Sequence, residues 1–242
     1  MTDFQKKLIA VAEMNEATRG IVTEEKSKLL MEFTSHLLEV NKTLNLTAIR
    51  DEDGFILKHI VDSLAIVPYI KDGARVADIG CGGGFPTFPI AFTKNGVSVF
   101  SVDSVGKKVE HVKSTASLFG LDNIDVSSRR AEELGRDMAY RECFDVACAR
   151  AVGRLNLLCE LCIPLVKVGG CFIAMKSKTT AEELDEAKNA IAILGGKLKD
   201  VINYTLTDGN EILERTLVII EKQTRTPEKY PRNNSQISKK PL

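Results

Sequence analysis

At 242 residues and 44% hydrophobic side chains, the chain can form one large domain, or one domain with a smaller attachment, around a sizeable core. Its 33 basic and 33 acidic side chains cancel, which excludes a protein drawn to nucleic acid by overall charge. No stretch approaches the ~20 apolar residues of a membrane span, and the N-terminus lacks a signal-peptide core, so a cytoplasmic location away from membranes is expected. The balance hides an asymmetry. Residues 222–242 hold Lys222, Arg225, Lys229, Arg232, Lys239 and Lys240 against Glu228 alone, a tail of +5.

Residues 1–72 read as helical. Thr23 followed by Glu24 and Glu25 is an N-cap signal, and Leu29, Leu30, Phe33, Leu37 and Val40 then share one helical face. Asn41 to Asn45 is expected to break that helix. A short helix follows Asp51-Glu52-Asp53, and another spans 58–70, closed by Asp72-Gly73. From Arg75 the pattern alternates between strand and helix, which argues for a parallel sheet with crossover helices. Candidate strands are 75–79, 97–102, 123–127, 144–149 and 169–175, with helices at 106–119, 154–166 and 180–194. Gly195-Gly196 interrupts the chain. Residues 197–206 and 215–221 then predict an antiparallel hairpin at a sheet edge. Large apolar residues are sparse after Lys222. The expected division is therefore a helical region packed on the main domain (1–72), the main domain (73–222) and a basic arm, docked or flexible (223–242).

The six cysteines include a C-x-x-C, Cys159 to Cys162, with Cys143 and Cys148 upstream. Period-two alternation places Cys148 on one strand face with Phe144 and Val146, and Cys159 and Cys162 fall on a helix. Reduced core thiols are the expectation, with no metal site.

The segment richest in chemistry is Asp78-Ile79-Gly80-Cys81-Gly82-Gly83-Gly84-Phe85-Pro86, set between a strand and a helix. Its glycines let the backbone turn sharply and approach a ligand at contact distance, and Pro86 suits the first turn of a helix. Asp103, at the end of the next strand, is placed to accept hydrogen bonds from ribose hydroxyls. The dinucleotide fingerprint fails in both registers, because its third position falls on Phe85 or Thr87, and no Gly-Lys-Ser or Gly-Lys-Thr supplies a Walker loop. The remaining D-x-G-x-G-x-G resembles motif I of the S-adenosylmethionine-dependent methyltransferases. A tight turn without a ligand stays open as the alternative.

Ala131 and Glu132, after the third strand, are candidates to border an adenine ring; a capped helix start explains them equally. Arg150, at the end of the fourth strand, has a fork that matches a phosphate or a guanine edge, and Lys176 follows the fifth strand at the same sheet edge. A surface salt bridge is the plainer reading of each. His59 and Asp62, one turn apart, are expected to form a structural hydrogen-bonded pair. The chain has no Asn-Pro-Pro-Tyr or Asp-Pro-Pro-Tyr for amino-group transfer and no Pro-Cys for attack on cytosine C5. No general base stands out. That suits an acceptor that is already nucleophilic.

Taken in order, several short segments resemble the bacterial 16S rRNA guanine-N7 methyltransferases, also called glucose-inhibited division protein B. They are Asn45-Leu46-Thr47, His59-x-x-Asp62-Ser63, the glycine loop through Pro89, Asp103-Ser104-x-x-Lys107-Lys108, Arg130 to Glu133, Arg150-Ala151, Lys176, and the tail with Lys229-Tyr230-Pro231-Arg232 and Lys239-x-Pro241-Leu242. Thr87 stands where the family usually has glycine, and Asn234-Ser235-Gln236-Ile237 replaces a Gly-x-Pro in the tail. The resemblance implies an α/β fold with a doubly wound, mostly parallel seven-stranded sheet and an N-terminal helical extension. It also implies methyl transfer from S-adenosylmethionine to N7 of one guanine in the decoding region of 16S rRNA, within the small subunit or an assembly intermediate, with no obligate protein partner. It assigns cofactor contacts to Asp78, Gly80, Gly82, Gly84, Phe85, Asp103, Ala131, Glu132 and Arg150, and substrate positioning to Arg150 and Lys176, with the tail cations on the RNA backbone. Rival readings are a small-molecule methyltransferase, a non-catalytic rRNA-binding assembly factor that keeps the cofactor pocket, and a dehydrogenase, which the failed third glycine disfavours.

Overall fold

The computed structural model describes residues 1–177, 179 and 181–242, so residue 180, the first of the predicted helix 180–194, lies outside the described residues. Seven strands form one sheet: β1 (Arg75–Ile79), β2 (Ser98–Val102), β3 (Ile124–Ser127), β4 (Phe144–Arg150), β5 (Val166–Lys176), β6 (Gly196–Thr207) and β7 (Ile212–Lys222). Their order is β3-β2-β1-β4-β5-β7-β6, and all pair in parallel except β7, which runs antiparallel to both β5 and β6. The predicted late hairpin is this β6–β7 pair, although β7 inserts next to β5 and leaves β6 at the edge. Strand order reverses between β1 and β4, and a ligand crevice is expected at their carboxyl ends.

Alternating residues feed two apolar layers. Val76, Val99, Cys148 and Ile173 face the N-terminal helices and α5 (Thr87–Thr93), where Phe33, Leu37 and Phe88 complete a core, and α6 (Gly106–Leu118) and α7 (Ala131–Leu134) follow β2 and β3. Ala77, Phe100, Ala147 and Phe172 face the other side, against Leu158, Cys159 and Cys162 of α8 (residues 155–162) and Ala187 of α9 (residues 181–193). Cys159 and Cys162 are fully buried, and burial pushes both thiols up. The period-two reading of β4 needs one correction. The ladder to β5 jumps from Phe144↔Val166 to Val146↔Cys171, and this irregularity sends Phe144 to the layer opposite Val146 and Cys148. There Phe144 stacks on Phe100 with centroids 5.7 Å apart.

In the N-terminal region, Thr2 caps α1 (Asp3–Met14) and Thr23 caps α2 (Glu24–Leu44). The break expected over Asn41 to Asn45 falls at the far end of that segment. Asn41 stays helical because its amide is satisfied outside the helix, donating to the Thr47 carbonyl and accepting from the Thr47 N–H, both at 3.0 Å. The helix stops at Asn45, which adopts φ 50°. Residues 58–70 are not one regular helix. After a short turn, α3 (Glu52–Phe55), residues 56–61 open to π-helical pitch, α4 (Asp62–Leu64) restores α pitch, and a 3₁₀ turn at residues 67–69 carries Pro68. Such wide turns often re-aim side chains at functional sites, and His59 lies in this one.

The basic arm is docked. Arg141 donates to the carbonyls of Gly135, Tyr230, Thr226 and Pro227, and Arg136 donates to that of Pro231. Arg232 meets the fully buried Glu160 through both carboxylate oxygens, the shortest bond 2.6 Å. Lys222 is buried and donates to the Ile163 carbonyl and to Thr226 Oγ1. Burial lowers its pKa to about 8. A Cβ on Gly135 would lie 2.9 Å from Pro231, so the glycine permits the arm's close approach.

Candidate cofactor and substrate site

The glycine loop leaves β1 by donating from the Gly80 and Cys81 N–H groups to the Val102 carbonyl, at 2.7 and 3.1 Å. Gly80 takes φ 81° and Gly84 φ 95°, conformations in which a side chain is strained. Close approach reinforces the requirement: a Cβ on Gly80 would meet Val152 at 2.5 Å, and one on Gly84 would meet the Phe88 ring at 2.3 Å. The loop is tied to the end of β2 by Asp103. Its Oδ2 accepts from the Gly82 N–H at 3.1 Å and its Oδ1 from the Val105 N–H at 2.9 Å, with the Lys108 ammonium 3.8 Å away.

Asp78 lies beneath the loop and is fully buried. Its Oδ2 accepts from the Thr87 N–H (3.1 Å) and hydroxyl (2.6 Å). Since that hydroxyl gives its one proton to Asp78, the Ser101 hydroxyl at 2.8 Å donates to Thr87. Thr87, where the resemblance expects glycine, thus adds a second donor to a buried carboxylate. Asp78 Oδ1 has no partner among the described residues. Burial outweighs the Thr87 bonds and the nearby Arg150, and pushes the carboxyl up to about 6.

Arg150, at the end of β4, joins the sheet to the helical region. Nη1 donates to the Lys58 carbonyl (3.0 Å) and to Asp62 Oδ2 (3.1 Å), and Nη2 donates to His59 Nδ1 at 3.1 Å. The expected His59–Asp62 pair is therefore bridged by Arg150. Because a guanidinium only donates, His59 Nδ1 is the acceptor, and Nε2 carries the proton given to Thr47 Oγ1 at 2.7 Å. Burial first and the Arg150 charge second depress the imidazole to about 3. Its ring stacks on Phe85, centroids 4.6 Å apart. Asp62 also accepts from Arg215 Nε at 2.8 Å. Three of the five Arg150 N–H groups are thus engaged, and two keep no partner among the described residues.

Three cavities meet at Arg150 and Ala151. The first, about 480 Å³, is lined by Gly80, Asp103, Val105, Ala131, Glu132 and Leu157, and by Asn234 of the arm. The second, about 250 Å³, has Lys58, Asp62, Lys176 and Arg215 in its wall. The third, about 200 Å³, adjoins Thr47, His59, Gly82 and Phe85. Of the sequence-derived site residues, Gly80, Asp103, Ala131, Glu132 and Arg150 therefore share one cavity, while Gly82 and Phe85 border another. Asp78 and Gly84 are not in these walls and shape the loop from below. Lys176 lies apart from the first cavity, bound to Glu183 at 2.7 Å and to the Gly153 carbonyl at 2.8 Å. Sequence reasoning missed Lys58, Arg215 and Asn234. A charged Arg215 at the start of an otherwise apolar strand was the one available signal.

The sequence model of the family described as rRNA small subunit methyltransferase G matches residues 26–212. The Lactobacillus helveticus ribosomal RNA small subunit methyltransferase G is 39% identical over 226 residues, covering 92% of this chain and 93% of that protein. The Acetivibrio thermocellus protein of the same name is 42% identical, covering 85% and 84%. The chain belongs to the rRNA small subunit methyltransferase G family. Among solved structures, that of a putative methyltransferase from Thermoplasma acidophilum superimposes with a TM-score of 0.51 at 12% identity, covering 65% of this chain and 71% of that one, a likeness of fold.

The family's cofactor is S-adenosylmethionine, and the residues present suit it. The first cavity offers a carboxylate at the end of β2 for the ribose, glycine backbone beside it, and apolar walls from Val105 and Leu157. Among the described residues of the site, His59 is held neutral by burial, and Cys81 is buried with its thiol pushed up.

Proposed function

We propose that this chain transfers the methyl group of S-adenosylmethionine to N7 of a guanine in small-subunit ribosomal RNA. Family membership supports the reaction class, and the geometry of Arg150 supports the acceptor. Guanine N7 carries a free lone pair at neutral pH, so transfer needs alignment behind the sulfonium methyl and no base. The product ring is cationic. A bare positive charge against it would oppose the reaction; Asp62, shared between Arg150 and Arg215, offsets part of the charge, and the neighbouring His59 is neutral.

In this reading Asp103 holds the ribose, Gly80 and Gly82 seat the methionine end, and Ala131 and Glu132 border the adenine. Asp78, Gly84 and Phe85 fix the loop on which the cofactor lies. The two unpartnered N–H groups of Arg150 take a phosphate or the guanine O6. Lys176, paired with Glu183, borders the adjoining cavity and positions the substrate there. The segment 73–222 carries the reaction, the helical region 1–72 supplies His59 and Asp62, and the arm 223–242 braces the cofactor side. The substrate is 16S rRNA in the small subunit or an assembly intermediate, and the reaction takes place in the cytoplasm.

Methyl transfer from labelled S-adenosylmethionine to small subunits lacking the modification, with large subunits as control, tests this. Label confined to one guanine N7 of 16S rRNA is the expected result. Cofactor binding without transfer to the small subunit would refute it.

A further inference from the structure

The wall of the first cavity comes almost entirely from residues 79–161, at the carboxyl ends of β1, β2 and β4 and in the segments that follow β1 to β4. Asn234 is the exception. It enters from the arm, at the start of the short helix α10 (Asn234–Lys239). A neighbouring cavity is lined by Arg130, Glu132, Arg136, Asn233, Asn234 and Ser235, so Arg130, Glu132 and Asn234 border both spaces. That shared border lies at the Ala131–Glu132 end, away from the glycines.

The position of Asn234 is built rather than incidental. Two residues earlier, Arg232 is locked to the buried Glu160 of α8, and its backbone N–H also donates to Glu160 Oε1 at 2.8 Å. Asn233 spends its side chain as the α10 cap, accepting from the Gln236 N–H at 3.0 Å. Ile237 is buried and anchors the far side of the turn. Among the described residues Asn234 makes one long side-chain contact, from the Ser238 hydroxyl at 3.4 Å to Oδ1, and its amide N–H₂ has no partner there. An amide carries both a donor and an acceptor, the complement of an adenine ring nitrogen and its exocyclic amino group.

Resting on the cofactor assignment above, we infer that Asn234 is a cofactor-binding residue that reads the adenine of S-adenosylmethionine, and that the arm is part of the cofactor site. The basic tail then serves the cofactor through Asn234 and the Arg232–Glu160 lock, and its remaining exposed cations are free for the RNA backbone.

Calorimetric titration of the full chain with S-adenosylhomocysteine, and with the analogue whose 6-amino group is replaced by oxygen, tests the inference. Asn234→Ala should weaken S-adenosylhomocysteine binding by about three- to tenfold, the loss of one neutral hydrogen bond. It should also bring the affinities for the two analogues closer together. A melting temperature equal to wild type, expected for an exposed side chain, certifies that the fold is intact. Unchanged affinity, or equal weakening for both analogues, overturns the assignment of Asn234 while the cofactor reading stands. Failure of the wild-type chain to bind S-adenosylhomocysteine overturns the cofactor reading itself.

Discussion

Asp78 offers the sharpest quantitative test of the loop. Its carboxyl is fully buried, one oxygen carries both Thr87 bonds and the other carries none, and burial raises its pKa from 3.8 to about 6. A carboxyl that holds its proton more tightly when folded favours the native state below the unfolded pKa. That advantage is lost as pH rises from 3.8 through about 6, because the unfolded chain ionises first. The shift of about two pH units corresponds to roughly 3 kcal/mol, fully expressed at neutral pH. In Asp78→Asn the neutral amide oxygen still accepts from Thr87, and the titration disappears. The absolute stability of the variant also contains the cost of a buried, unpaired amide N–H, so the informative quantity is the change with pH. Urea unfolding of wild type and variant should show wild type losing about 2.5 kcal/mol relative to Asp78→Asn between about pH 4 and pH 7.5. A stability difference that stays constant across that range would refute the buried, raised carboxyl.

Four further outcomes are expected. Thr87→Val keeps the shape and removes the hydroxyl bonded to Asp78, so it should cost about 1.5–3 kcal/mol at neutral pH by urea unfolding, less in acid; a neutral effect would show the hydroxyl to be incidental. Asp103→Ala should weaken cofactor binding by about ten- to a hundredfold, from lost charge-assisted bonds of roughly 1.5–3 kcal/mol, and unchanged calorimetric affinity would mean the ribose lies elsewhere. Glu160→Gln strips the counter-charge from Arg232 and should destabilise toward the lower end of the ~3–5 kcal/mol typical of a broken buried pair, since Arg232 retains some exposure; protease trimming of the arm reports it, and a resistant arm would count against the lock. With His59 depressed to about 3 by burial and Arg150, the methyl-transfer rate should show no histidine inflection near neutral pH, and an inflection that vanishes in His59→Gln would contradict the neutral imidazole.

What could be read from the sequence was what depends on near neighbours. Each of the seven strands announced itself as a short apolar run, and the glycine loop with Asp103 located the cavity because turn, helix start and acid are all local. What was misread or left open shares one cause. The helix end could be placed only within Asn41 to Asn45, because the partner that keeps Asn41 helical, Thr47, lies beyond that end. Phe144 was given the wrong face because a register jump against β5 is invisible to alternation counted along β4 alone. The tail was left open between docked and flexible because Arg232 finds its carboxylate on α8, 72 residues away, and Lys222 is buried at the end of a strand.

The same long-range pairing explains why Arg150 admitted two readings from sequence, a salt bridge and a substrate contact. It is a salt bridge, to Asp62, 88 residues earlier. It is also a wall of all three cavities. Holding the guanidinium through both terminal nitrogens costs it much freedom, which suits the proposed role of orienting a base. The open pitch of residues 56–61 belongs to this arrangement, since the Lys58 carbonyl and His59 Nδ1 both accept from Arg150 in that turn. The helical region is thereby the second half of the site, and the sheet alone would present Arg150 without its counter-charge or its orientation.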